Sequence, residues 1–206
     1  MLSKPAMEGI PSRIVAAEKK HIPAMAAILA AAFIDEPALS WILPNPGARA
    51  DRLTIFFEAI LCGTLSNGIA LRSPDDEAVA LLRLPRRIHP GFFETLGALP
   101  KLMHALGDGQ KRARLLSQSL RAHEPRDFPY WYLQFVGVAP SHQQQGWGGI
   151  AVRACLAKAR AAAMPVYLET PKRTNVSFYK HLGFEMLDTW EIPDSGLHFT
   201  SLLWRP

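Results

Sequence analysis

Gln143-Gln144-Gln145-Gly146-Trp147-Gly148-Gly149 joins a strand-like run to a helix-like one, and its reading decides the fold. Upstream, Tyr130-Trp131-Tyr132-Leu133-Gln134-Phe135-Val136-Gly137-Val138 is dense in aromatic and β-branched residues and is stopped by Pro140. Downstream, an Ala-rich segment from Gly146 to about Met164 reads as a helix. Gly146 and Gly148 carry no side chain to hold an anion away from the backbone. The first amides of a helix have no partner inside it and point along its axis, so strand, glycine loop and helix together predict a site for a phosphorylated ligand.

Two nucleotide motifs compete for this loop. A Walker phosphate loop is excluded because no Lys-Ser or Lys-Thr follows the glycines. The dinucleotide fingerprint is met in spacing by Gly146-x-Gly148-x-x-Ala151, with Glu169 falling at the end of the next strand-like run. That fingerprint wants its first glycine directly after the strand, whereas Ala139 to Gln145 intervene here. It also opens a doubly wound sheet, and too little chain follows Ala151 to build one.

The loop and its surroundings resemble the GNAT acyltransferase superfamily. Gln143-x-x-Gly146-x-Gly148 is similar to that family's pyrophosphate-binding signature. Val136-Gly137-Val138-Ala139-Pro140 stands where the family has its fourth strand, and Asn175-x-x-Phe178-Tyr179-x-x-x-Gly183-Phe184 resembles its C-terminal motif. The resemblance covers Tyr130 to Phe184 well and the N-terminal part in outline. It implies an α/β fold in which a mixed, mostly antiparallel sheet of about seven strands is flanked by helices, with a helical insertion before the fourth strand. It also implies an acetyl-coenzyme A dependent N-acetyltransferase that acts on a primary amine of a small molecule or peptide by direct attack in a ternary complex. A non-catalytic acyl-coenzyme A sensor is the alternative.

Under this resemblance the cofactor lies on Val136, Gly137, Val138, Gln143, Gln144, Gln145, Gly146, Trp147, Gly148, Gly149, Asn175 and Tyr179. The fourth strand splays from its neighbour, which leaves the Val138 amide free to stabilise the thioester oxyanion. Gly137, a glycine inside a strand, marks a bulge, a close backbone approach or plain packing. Tyr179 matches the family's proton donor to the departing thiolate, against the alternative that it packs beside Phe178. Asn175, one helical turn earlier, orients the pantetheine or the tyrosine, or caps the helix. Glu169 is the second catalytic candidate: it takes the amine's proton or holds the ammonium, or else is a strand-end glutamate facing solvent. Asp35 and Glu36 fall where relatives shape the acceptor pocket, or form a turn before Pro37.

Patterning places the remaining elements. Strands are expected over Arg13 to Ala17, Ile69 to Ser73, Ala78 to Leu84, Tyr130 to Val138, Val166 to Thr170, Phe184 to Ile192 and His198 to Trp204. Helices are expected over Ile22 to Phe33, Ala48 to Leu65, Pro90 to Leu106, Gln110 to His123, Gly146 to Met164 and Thr174 to Leu182. Alternation of strands and helices in the C-terminal half favours parallel pairing there. In the helix after the glycines, Ile150, Ala154, Ala157 and Ala161 recur at helical spacing and predict the packed face, with Arg153, Lys158 and Arg160 opposite.

With 206 residues, 49% of them hydrophobic and 20% charged, the chain reads as one domain over residues 1–206, with Met1 to Pro11 as a loose tail. The run from Ile22 to Phe33 is too short to span a bilayer, so no membrane association is expected. Cys62 and Cys155 in helix-like patterns suggest buried thiols in a reducing cytoplasm, and scattered histidines argue against a metal site. A net charge of +5 arises largely between Arg86 and Arg126, where it reads as solvated helix faces rather than a nucleic-acid surface. The acceptor pocket should come from this region and the N-terminal helices, where no motif names its ligand. Oligomeric state is not legible.

Overall fold

The aromatic run before the glycine loop forms β4 (Trp131–Val138), which lies at the centre of a seven-stranded sheet. A computed structural model describes residues 13–85, 87–89 and 92–206. The expected Met1 to Pro11 tail, Arg86 and the Pro90 start of the third helix lie outside the described residues.

The elements run β1 (Val15–Ala16), α1 (Ile22–Ala32), α2 (Pro37–Ile42), α3 (Pro46–Asn67), β2 (Gly68–Arg72), β3 (Ala78–Arg83), α4 (Phe92–Leu106), α5 (Gln110–His123) and β4. Then follow α6 (Trp147–Ala161), β5 (Val166–Thr170), α7 (Arg173–His181), β6 (Glu185–Ile192) and β7 (Leu197–Trp204). Strand order is β1-β2-β3-β4-β5-β7-β6, so the fold is the expected mixed α/β sheet with α4 and α5 inserted before β4.

Parallel pairing in the C-terminal half is confined to β4 and β5. The expectation of more fails because the turn after β6, with Asp194 and Gly196 at positive φ, folds β6 and β7 into a hairpin. β7 then docks antiparallel on β5. The first strand shrinks from the expected Arg13 to Ala17 to two residues. One helix was not foreseen. α2 begins directly after the turn that was one of the two readings of Asp35 and Glu36: the Glu36 carboxylate accepts from the Leu39 amide at 2.7 Å, and Pro37 takes the first helical turn.

Helices cover both faces. On one, Ala151, Val152, Cys155 and Leu156 of α6 pack against Leu82, Leu133 and Leu168. On the other, Met25 and Leu29 of α1 and Leu53, Phe57 and Leu61 of α3 pack against Val79 and Leu81, with Phe135 against this core. The Phe135 ring meets Phe33 and Phe57 edge to face at 5.4 and 5.1 Å.

The predicted packed face of α6 is rotated: Ala157 and Ala161 are exposed, Ile150 and Ala154 half-buried, and Val152, Cys155, Leu156 and Ala159 take the buried positions. Alanines satisfied more than one helical stripe, and the bulkier Val152 and Leu156 decide, because they remove more apolar area from water. Cys155 is buried as expected, with its thiol pushed up to about 12 by desolvation. Cys62 is exposed, against expectation, because it lies one position off the buried stripe of Leu61 and Thr64 on α3.

Candidate active site

β4 and β5 pair in register only at Trp131↔Val166 and Tyr132↔Tyr167. Beyond Tyr132 the two strands part. The cause is a bulge in β4: β3 pairs Leu82 with Leu133 and Leu81 with Phe135, so Gln134 is an extra residue that re-aims the strand. The bulge is therefore at Gln134, a residue that sequence reasoning passed over, and not at Gly137. Gly137 pairs regularly with Val79 and serves the close approach of α1, since a Cβ there would lie 2.9 Å from Leu29 Cδ2 and 3.3 Å from Ala32 Cβ.

The direction of the free β4 groups follows from one bond. Ala139 donates its amide to the Glu77 carbonyl at 2.8 Å, on the β3 side. Amides alternate along a strand, so those of Val138 and Val136 point away from β3 into the opening.

At the end of β4 the chain makes a 3-10 turn over Pro140–His142 and enters the glycine loop. Gln143 folds back and donates Nε2 to the Val138 carbonyl at 3.3 Å, while Gln145 Nε2 reaches the Ser141 carbonyl at 3.0 Å. Gln144 (φ 62°) and Gly146 (φ 85°) both take the left-handed region. Gly146 caps α6, and no side chain caps the first turn. A Cβ on Gly146 would meet nothing within 4 Å, so the demand for glycine there comes from the backbone, and the space in front of it is open. Gly148 faces Val138 and Phe178 with 3.6 Å to each, between β4 and α7, while Gly149 lies under the Arg153 guanidinium at 3.1 Å. Trp147 is half-buried against the α6 core.

Asn175 and Tyr179 share one face of α7. Asn175 does not cap that helix, whose cap residue is Lys172; its Nδ2 donates to the Thr170 hydroxyl at 3.3 Å, tying α7 to the end of β5. The Tyr179 ring packs edge to face on Phe178 and Phe184, at 5.0 and 5.4 Å. Desolvation, helped by the Cys155 thiol, pushes its phenol far above the ordinary range, so it stays protonated at any working pH.

Glu169 does not face solvent. Both carboxylate oxygens are buried without a hydrogen-bond partner, and desolvation raises its pKa to about 8. The hydroxyls of Tyr167 and Tyr132 approach and pull the value back down, and the Glu124 charge pushes it up. Neither tyrosine closes a bond to it: Tyr167 Oη lies 3.0 Å from Ser201 Oγ and 3.2 Å from the His123 carbonyl. On the same wall, Glu36 is buried with its pKa raised by desolvation, against the opposing pull of its own Leu39 amide bond and the Lys172 charge. Asp35 is exposed, 3.7 Å from Arg49. Below lies a cleft of about 490 Å³ between Pro85, His89, Glu124, Phe128 and Tyr130, with His89 Nε2 3.0 Å from Glu124.

Chemically, the splay offers free strand amides and an uncapped helix start on the α6 side, and a desolvated carboxylate on the α1 side. Among the described residues no group of three or more His, Cys, Asp or Glu could hold a metal ion, and no helix is long and apolar enough to cross a membrane.

Known proteins are similar to this chain in sequence and fold. Residues 116–184 match the sequence profile of the Acetyltransferase (GNAT) family. The chain is 26% identical over 178 residues to an uncharacterized N-acetyltransferase of Schizosaccharomyces pombe, covering 81% of this chain and 72% of the other. The fold is similar to histone acetyltransferase HPA2 and related acetyltransferase from Corynebacterium glutamicum, with a TM-score of 0.69, 23% identity and 94% and 96% of the two chains covered. It is also similar to arylalkylamine N-acetyltransferase 2 from Aedes aegypti, with a TM-score of 0.59, 13% identity and 94% and 98% covered. Over residues 116–184 the chain is thus similar in sequence to the Acetyltransferase (GNAT) family, and its fold is similar to that of acetyltransferases.

Proposed function

We propose that this protein is an N-acetyltransferase that moves the acetyl group of acetyl-coenzyme A onto a primary amine by direct attack in a ternary complex. The observation that carries the reading is the continuity of the splay with the glycine loop: free β4 amides lead straight to the uncapped, left-handed Gly146 start of α6. A pyrophosphate fits that start because amides point at it and no side chain stands in the way. Its contacts would come from Gln143, Gln144, Gln145, Gly146, Trp147, Gly148 and Gly149, and those of the pantetheine arm from Val136, Gly137, Val138 and Asn175. A single sheet through the described residues supports reading them as one catalytic domain.

The steps follow from the groups present. The amine nitrogen attacks the thioester carbonyl carbon, the new C–N bond forms, and the Val138 amide faces the oxyanion. The proton shed by nitrogen passes to Glu169, whose burial makes it basic enough to receive it near neutrality. The C–S bond then breaks, and Tyr179 gives the thiolate its proton. An acceptor amine is also the chemistry named for the arylalkylamine N-acetyltransferase that shares the fold.

The test is thiol release from acetyl-coenzyme A with a panel of arylalkylamines, polyamines and amino-acid amides, against the hydrolysis blank. Transfer to at least one amine is expected. For the best amine, kcat/KM should rise with pH through about 8, the pKa of the free-enzyme carboxyl, and Glu169→Gln should lower kcat and remove that limb. Cofactor binding with no transfer to any amine would overturn the reading. A Glu169→Gln variant that raises KM for the amine and spares kcat would leave Glu169 as an ammonium holder only.

A further inference from the structure

Three buried acceptor atoms near the mouth of the splay lack partners: Gln134 Oε1, Glu169 Oε1 and Glu169 Oε2. Buried acceptors are nearly always bonded, so three such oxygens in one place call for a ligand that brings donors. Their placement follows from the register. Tyr132 and Tyr167 face each other as the last pair before the strands part. Gln134 and Glu169 each lie two residues further on, so both point to the same face of the sheet, across the gap from one another. The bulge keeps Gln134 on that face: Phe135, the next residue, packs against the α1 and α3 core on the same side. Both side chains thus face away from α6 and the glycine loop.

We propose that Gln134 is the second jaw of the acceptor site, holding one N–H of the attacking amine on Oε1 while Glu169 faces the other, so that the enzyme selects primary over secondary amines. This deepens the transferase reading and rests on it. A neutral primary amine has two N–H donors and one lone pair. With its donors held by Gln134 and Glu169, the lone pair is left for the thioester carbon. As the C–N bond forms, one of the two protons moves to Glu169, and the other stays on nitrogen, bonded to Gln134, as the N–H of the amide product. N-methylation removes one donor. The single N–H left is the one Glu169 must take, and Gln134 Oε1 goes unpaired in a buried site, which such a site penalises strongly.

Gln134→Met keeps the length of the side chain and deletes the acceptor. Two independent readouts are expected. The melting temperature of the free variant should be no lower than that of wild type, because an unpartnered buried oxygen is exchanged for an apolar group. With phenethylamine, KM should rise roughly ten-fold or more with a smaller fall in kcat, and the preference over N-methylphenethylamine should collapse toward unity. A lower melting temperature would show that Gln134 is a structural residue and overturn the proposal, even for an enzyme inactive on both probes. Unchanged selectivity in a folded, active variant would overturn it equally. Neither result would touch the transferase reading, which is tested separately by acetyl transfer in wild type.

Discussion

The two sides of the splay are built from different materials. On the α6 side the groups are backbone: the amides of Val136 and Val138, the left-handed turn at Gly146 and the uncapped first turn of the helix. On the α1 side they are side chains held out of water, Glu169 and Gln134 with orphaned oxygens and Glu36 with a raised pKa. Backbone groups recognise whatever brings a phosphate and a thioester, regardless of the rest of the molecule. Buried side chains recognise a particular pattern of donors and pay desolvation until it arrives. The first half therefore suits a cofactor shared across a family, and the second an acceptor that differs between members.

Removing the hydroxyl of Tyr179, the proposed proton donor, should show the largest effect. Tyr179→Phe keeps the ring against Phe178 and Phe184 and deletes the hydroxyl. Acetyl-coenzyme A affinity should change little, while kcat falls by roughly 100-fold or more. The check is steady-state kinetics beside a thermal shift with the cofactor. Wild-type kcat in the folded variant would return Tyr179 to the packing residues and leave the α6 side with binding groups alone.

The two glycines of the loop sharpen the comparison further, because they fail in different ways. Gly146 has open space but a left-handed backbone, so Gly146→Ala strains the cap without filling the site. Gly148 has no positive φ but sits 3.6 Å from Val138 and Phe178, so Gly148→Val closes the gap between β4 and α7. Both should weaken acetyl-coenzyme A, by about ten-fold for the first and more for the second. Only Gly146→Ala should also lower the melting temperature of the free protein appreciably. An unaltered thermal shift with cofactor in a folded Gly148→Val variant would move the cofactor arm away from that gap.

The same division explains what was legible in the sequence. The α6 side was readable because backbone geometry leaves a trace in residue type: Gly146 stands where φ is positive, and Pro140 where β4 must end. Where each strand falls along the chain was readable because apolar alternation must match the pleat, but its neighbours in the sheet were not, since the β6–β7 hairpin is set by a turn. The bulge left no trace, since Gln134 is an ordinary strand residue whose extra count shows only against the β3 register. Glu169 was legible as a residue but not as a buried one, because Tyr132 and Glu124, which approach it, come from outside its own strand. The short helix α2 announced itself in Glu36-Pro37, a capping acid before a proline, and was missed because the same pair also reads as a turn.

The last prediction tests the desolvated half without any substrate. Glu169 ionises near 4.5 in an unfolded chain and at about 8 in the folded one. Between those values the folded protein binds a proton that the unfolded chain has released, so stability must fall as pH rises across this window. Glu36, also raised, contributes in the same direction. Wild type should therefore melt lower at pH 8 than at pH 5, and Glu169→Gln, which has no proton to lose, should recover most of the loss, on the order of 10 °C. A bound ammonium would lower the carboxyl pKa by opposite charge, so an acceptor amine should stabilise wild type most at the alkaline end and the variant hardly at all. Calorimetric scans of both proteins across this range measure the slope directly. Parallel curves would mean that Glu169 is solvated and ordinary, and the contrast between a backbone side and a desolvated side of the splay would then rest on Gln134 and Glu36.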